Sequence, residues 1–288
     1  SINYCVNDLN LQSYFALGTG INNPVWALAV MGTDVYVGGE FSRAGGNPAK
    51  NIAKWDTLTN EWSALGTGTI GQVNALAVMG TDLYVGGEFS RAGGNPANYI
   101  AKFNTLTNEW SALGDGTDGH VYALAVMGTD LYVGGAFTQA GSNPANYIAK
   151  WDTITNEWSP LGSGTFNVVI ALAVMGTDVY AGGEFSRAGG KPVSNIAKWD
   201  TLTSTWSALG AGTIGTNGQV NALAVMGTDL YVGGDFTQAG GNPASKIAKW
   251  DTLNGTWSPL GSGTNGTVRS LAVMGTDVYA GGVFTQAS

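Results

Sequence analysis

VNALAVMGTDLYVGGEFSRAGGNPANYIAKFNTLTNEWSALG, residues 73–114, is the stretch whose reading decides the fold. It divides into four apolar runs, VNALAVM, LYVGGEF, YIAKF and EWSAL, separated by Gly80-Thr81-Asp82, by SRAGGNPAN and by NTLTN. Each run is short, carries β-branched or aromatic residues, and is bounded by Gly, Asn, Asp or Pro. That is the pattern of strands joined by turns. None holds a helical apolar period over ten or more residues, so no helix is predicted.

Working outward, the same unit recurs along the chain. Met31, Met79, Met127, Met175, Met226 and Met274 mark it, at steps of 48, 48, 48, 51 and 48 residues. Residues 25–72 and 73–120 differ at only 9 of 48 positions, which means recent duplication or deliberate consensus design. Four strands per unit and a period near 48 predict propeller blades. The first strand is alanine-rich (Ala75, Ala77), as suits a crowded axis. The last strand carries Trp62, Trp110, Trp158, Trp206 and Trp257, as suits the widening wedge between blades. The prediction is an all-β, six-bladed β-propeller with four antiparallel strands per blade, a single domain over residues 1–288. Its blades lie at about 25–72, 73–120, 121–168, 169–219 and 220–267, with the last made of 268–288 plus 1–24.

That last blade is predicted to be composite. The final unit stops after its second strand, at Gly282-Val283-Phe284-Thr285-Gln286. YCVND and SYFALG, residues 4–8 and 13–18, fall on IAKWD and EWSALG when shifted by 48. The N-terminal strands then close the last blade, which removes open sheet edges.

The run Tyr-Val-Gly-Gly, then Ile-Ala-Lys-Trp-Asp, then Thr-Asn-Glu-Trp resembles the kelch repeat. More closely, the pattern VNALAV, TDLYVGGEF, NIAKWD, TNEWSALGTG resembles the blades of Rax2-type cortical polarity proteins of fungi and related secreted bacterial propellers, over almost the whole chain. The resemblance implies the propeller fold. It does not single out an activity, because kelch-like propellers include enzymes, lectins and adaptors.

Composition narrows the function classes. The net charge is −8, and the 12 Lys and Arg are spread singly, so nucleic-acid binding and a polybasic membrane patch are not expected. No apolar run approaches the roughly 18 residues of a membrane-spanning helix. Cys5 is the only cysteine, so neither an internal disulfide nor a cysteine zinc site can form. His120 is the only histidine, and there is no Gly-x-Ser-x-Gly elbow and no phosphate loop between strand and helix. No metal or cofactor is expected, and the copper site of galactose-oxidase-like kelch relatives is excluded by histidine count. Few lysines and Asn/Thr/Gly-rich loops point to an extracellular or cell-surface protein, expected to be a monomer.

The repeated chemistry-bearing residues each have a plain reading. Asp34, Asp82, Asp130, Asp178, Asp229 and Asp277 in Met-Gly-Thr-Asp read as hairpin-turn residues rather than acids of a site. Trp55, Phe103, Trp151, Trp199 and Trp250 read as packing between blades rather than sugar-stacking platforms. Glu40/Arg43, Glu88/Arg91 and Glu184/Arg187 read as ion pairs. Asp115-Gly-Thr-Asp118-Gly is loop-like and open to a cation but lacks the dense spacing of a calcium loop. Asn254 and Asn265 match glycosylation sequons.

What varies from unit to unit is more telling. In a propeller the loops joining strand four to the next strand one, and strand two to strand three, share one face, and most differences fall there. The residue after the opening Val of strand one is Trp26, Asn74, Tyr122, Ile170, Asn221 or Arg269, and the residue before it is Pro24, Gln72, His120, Val168, Gln219 or Thr267. Trp26, Asn74, Tyr122, Asn221, Arg269 and His120 are therefore the candidate ligand-binding residues, with no catalytic or metal residue. The expected function is a non-enzymatic secreted or surface binding propeller with a glycan or protein ligand on the varied face. The alternatives are a purely structural or engineered scaffold without a small ligand and, third, an enzyme using the central channel.

Overall fold

The computed structural model describes residues 16–210 and 215–287. Strands and turns make up these residues, with no helix among them. By contacts they fall into two compact units. One holds residues 16–145 and 149–159, the other 146–148 and 160–287.

Each repeat folds as an antiparallel meander. In the second, Val73–Met79 pairs with Asp82–Gly87, which pairs with Ile100–Asn104, which pairs with Glu109–Ala112. The repeats beginning at Val25, Val121, Val169 and Gln219 have the same order, and Val268–Met274 pairs with Asp277–Gly282. The N-terminal strands proposed to complete that last sheet lie outside the described residues, as does Cys5. Between strands two and three every four-stranded repeat adds a two-residue ladder, such as Arg91–Ala92 with Asn95–Pro96, which strand patterning does not foresee.

The turn between strands one and two corrects the reading of its aspartates. Met79 pairs with Asp82, so only Gly80 and Thr81 make the turn, and Gly80 has φ of +61°. That is the two-residue hairpin with glycine first, where a side chain is strained and glycine is not. Asp82 instead opens strand two and holds Lys102 of strand three at 3.1 Å, as Asp34, Asp130, Asp178 and Asp229 hold Lys54, Lys150, Lys198 and Lys249. The turn from strand three to four is capped by a different acid. Asp56 accepts the N–H groups of Leu58 and Thr59, and Asn60 takes the left-handed conformation.

Adjacent repeats within each unit pack through a fixed set of contacts. Tyr36, Ile52 and Leu65 share a core with Val73, Leu83, Val85 and Phe89 of the next repeat. Tyr180, Ile196 and Leu209 do the same with Val220, Leu230, Val232 and Phe236. The glycine pair explains the closeness. A Cβ on Gly38 would collide with Cγ1 of Val73, and one on Gly86, Gly182 or Gly233 with Val121, Val220 or Val268. The strand-four tryptophans complete the junction: Trp110 donates its Nε1–H to the Leu65 carbonyl of the preceding repeat at 3.0 Å, and Trp62, Trp158, Trp206 and Trp257 donate likewise to Leu17, Leu113, Leu161 and Leu209. Trp55, Phe103, Trp151, Trp199 and Trp250 are buried and pair across strands with these rings at 5.1–5.4 Å, so they are packing residues and not open platforms.

Candidate binding site

Strand one carries the same irregularity in every repeat. Val73 pairs with Gly87 and Ala75 with Gly86, so Asn74 is an extra residue with no partner, a β-bulge. The bulged residue is Trp26, Asn74, Tyr122, Ile170, Asn221 or Arg269, the position singled out in the sequence. A bulge bends the strand and re-aims a side chain, here at the strand end beside the variable loops.

Around the second and third repeats these side chains gather. Gln72 donates its amide to Asn74 at 3.0 Å and to the Glu88 carboxylate at 2.9 Å. Asn74 donates to the Val121 carbonyl, beside Tyr122. His120 places Nδ1 3.5 Å from Glu88 and 3.4 Å from the Tyr122 hydroxyl, and its ring lies 5.4 Å from that of Tyr99. Burial, then the nearby Glu88 charge, pushes the Tyr122 phenol up. The result is a half-buried patch of two tyrosines, one histidine, two amides and one carboxylate, able to stack on a ring and to exchange hydrogen bonds.

The other candidates each lie at their own bulge. Trp26 is half-exposed at its own bulge. In the second unit Asn221 donates to the Val268 carbonyl, next to the exposed Arg269. Glu88 and Tyr99 belong to the cluster but were not singled out as binding residues. Their signal was legible, since Glu88 and Tyr99 vary among repeats as Ala136, Asp235, Asn195 and Lys246.

The expected Glu–Arg ion pairs fail on geometry. Arg43, Arg91 and Arg187 do not pair with Glu40, Glu88 and Glu184. Each donates Nη1–H to the glycine carbonyl three residues on, at 2.8–3.1 Å, bracing its own loop. The Asp118 carboxylate is not free for a cation. It accepts the Thr138 hydroxyl and the N–H groups of Thr138 and Gln139. Asn265 caps Thr285 and Gln286 in the same way, while Asn254 sits exposed at a turn tip. Among the described residues no three His, Cys, Asp or Glu side chains come together as metal ligands, and no helix is long and apolar enough to cross a membrane.

Residues 212–288 match the family "Rax2 C-terminal beta propeller domain", and residues 83–105 match "Domain of unknown function (DUF5122) beta-propeller". The chain is built of β-propeller repeats. Among solved structures it is similar to the computationally designed protein Ika8, at 20% identity and a TM-score of 0.60, covering 89% of this chain and 67% of that one. It is also similar to the extracellular domain of a protein described as a one-component system from B. thetaiotaomicron. There the identity is 12% and the TM-score 0.62, with 91% of this chain and 32% of that chain covered. No curated protein matches the sequence. At these identities the solved structures establish the fold alone.

Proposed function

We propose that this chain is a non-enzymatic binding propeller, extracellular or at the cell surface and monomeric. It takes a glycan or protein ligand on the face of the variable loops. The observation that carries this reading is the bulge. The same backbone irregularity is kept in all six repeats while its side chain takes five identities, from Trp26 to Arg269. A scaffold that only had to fold would copy that residue as it copies the buried ones. The neighbour from B. thetaiotaomicron, an extracellular domain, is in keeping with the location.

The proposed ring has six kelch-like blades, the last completed by the N-terminus. Two observations support it. The Leu17 carbonyl receives Trp62 as Leu65 receives Trp110, so Leu17 holds the place of Leu65. Leu28 and Val30 are exposed, whereas their counterparts Leu76 and Val78 pack into a core shared with Ala29 and Met31. Met274, the counterpart of Met31, is exposed too. In the proposed ring, closure covers these exposed faces.

A glycan array and an affinity capture with the intact chain test the reading. A ligand found either way should bind at least about tenfold more weakly to Trp26→Ala or Tyr122→Ala and equally well to Thr81→Ala in the opposite turn. Unchanged affinity in both bulge variants moves the site away from the bulges.

A further inference from the structure

We infer a second binding site, in the groove beside Phe166, that takes the ring of a neutral or amino pyranose sugar. The groove measures about 450 Å³, opens to solvent, and is lined by Phe166, Asn167, Glu184, Ser186, Ser194 and Asn195 among others. That volume suits one or two sugar rings.

Three departures from the repeat converge on it. The first is Phe166 itself. Its counterparts Asn22, Asp118, Asn217 and Asn265 each accept two N–H groups of the adjoining loop through the side-chain oxygen. Phe166 offers no acceptor to Ser186 and Arg187 and exposes 70% of its surface. A side chain that holds the loop has been exchanged for a solvent-facing aromatic ring. Ile70 is the one other apolar residue at this position, and it supplies no ring.

The second departure is Asn167. Gly71, Gly119, Gly218 and Gly266 stand at its position, where a Cβ would run into the carbonyl of Glu88, Ala136, Asp235 or Val283. Asn167 carries that carbon, so the loop must stand further off. The adjoining bond from Glu184 N–H to the Val168 carbonyl is 3.2 Å, against 2.8–2.9 Å for Glu88, Ala136 and Val283. The third is Asn195, whose place is filled by Tyr99, Tyr147 or Lys246 in three other repeats. Its short amide turns to the Thr216 carbonyl at 2.9 Å and leaves the floor clear. Asn23 and Asn51 recur at the start of the first repeat, but there the Asn22 cap is kept, so the combination occurs only where the third repeat meets the fourth.

The chemistry of the lining selects the ligand. Phe166 is an apolar platform for the C–H face of a pyranose. Glu184 is exposed and accepts only, while Ser186 and Ser194 donate and accept, which matches the hydroxyl rim of a sugar. A purely aliphatic ligand would leave these groups without partners. Acidic sugars are repelled by Glu184 and by the net charge of −8. This site does not rest on the bulge reading and stands or falls separately.

The test is a titration of the intact chain with methyl glycosides of glucose, galactose, mannose, glucosamine and glucuronic acid, read by saturation-transfer NMR. At least one neutral or amino glycoside should bind at millimolar concentration, and the glucuronide should not. Phe166→Ala should weaken binding about tenfold or more, Glu184→Gln should weaken it, and Trp26→Ala should leave it unchanged. Phe166→Asn restores the loop cap, so it should abolish binding while raising Tm by about 2 °C. The inference is overturned if no neutral or amino glycoside binds at about 10 mM, if Trp26→Ala rather than Phe166→Ala removes binding, or if Phe166→Asn lowers Tm.

Discussion

A single glycine shows how far residue-level reading reaches. The pair Gly86-Gly87 is visible in the sequence as a signature, but its two physical grounds differ from that of Gly80. Gly86 lacks a Cβ because Val121 of the next repeat occupies the space, whereas Gly80 has open space around it and needs only its φ of +61°. Gly86→Ala should therefore cost about 3 kcal/mol, near the top of the range for overpacking. Gly80→Ala should cost about 1 kcal/mol for the strained turn. Denaturant midpoints measured on both variants check the ordering; equal losses would remove the close-approach account. The Arg-to-glycine-carbonyl braces and the Asp–Lys pairs were misread for a common reason. Sequence proximity of opposite charges carries no information on which backbone carbonyl lies nearer, and cross-strand neighbours 20 residues apart are set by register.

At the scale of the element, strand two is the buried spine of each four-stranded repeat. Tyr36, Tyr84, Tyr132 and Tyr180 lie on it, and burial, then the adjacent Asp of the hairpin, pushes each phenol up to about 12. The unfolded phenol ionises near its ordinary value of 10.0. Between those values the unfolded chain has released protons that the folded chain retains, so raising the pH favours unfolding. The phenols' contribution should be constant below about pH 10 and stability should fall steeply from there to about 12, with urea midpoints at a series of pH values as the measure. A midpoint unchanged to pH 12 would contradict the buried position of these rings. The acid limb is the mirror case. Asp56 and Asp152 are held below the usual carboxylate range by the N–H groups of Thr59 and Leu58, and of Thr155 and Ile154. Their contribution is present above the ordinary carboxylate range and is lost only as the pH falls through the lowered folded value. Strand existence was legible from alternation and turn residues, but the bulge was not. It depends on which residue of strand one lacks a partner, and pairing is a property of two strands.

For the whole molecule, the proposed ring makes a specific demand on the N-terminus. Deleting residues 1–17 removes the two strands expected to finish the last sheet and leaves Asp277–Gly282 as an open edge. That variant should aggregate or melt far below the intact chain in a thermal scan with light scattering. A soluble monomer with unchanged Tm would sink the composite blade.

The sequence alone determined the all-β class, the repeat, the four main strands of each complete repeat and the positions where repeats differ. Those follow from local patterning and from copying, and both are written in one dimension. It also pointed to Trp26, Asn74, Tyr122, Asn221 and Arg269 by their variability. Only the tertiary structure decided that this variable position is a bulge, that Gln72 and Glu88 bring Asn74 and His120 together, and that Phe166 faces a groove. Variability marks where a side chain is free to change. Which free side chains share a surface is set by the packing of one repeat on the next, through contacts such as Gly86 on Val121 that join residues far apart in the chain.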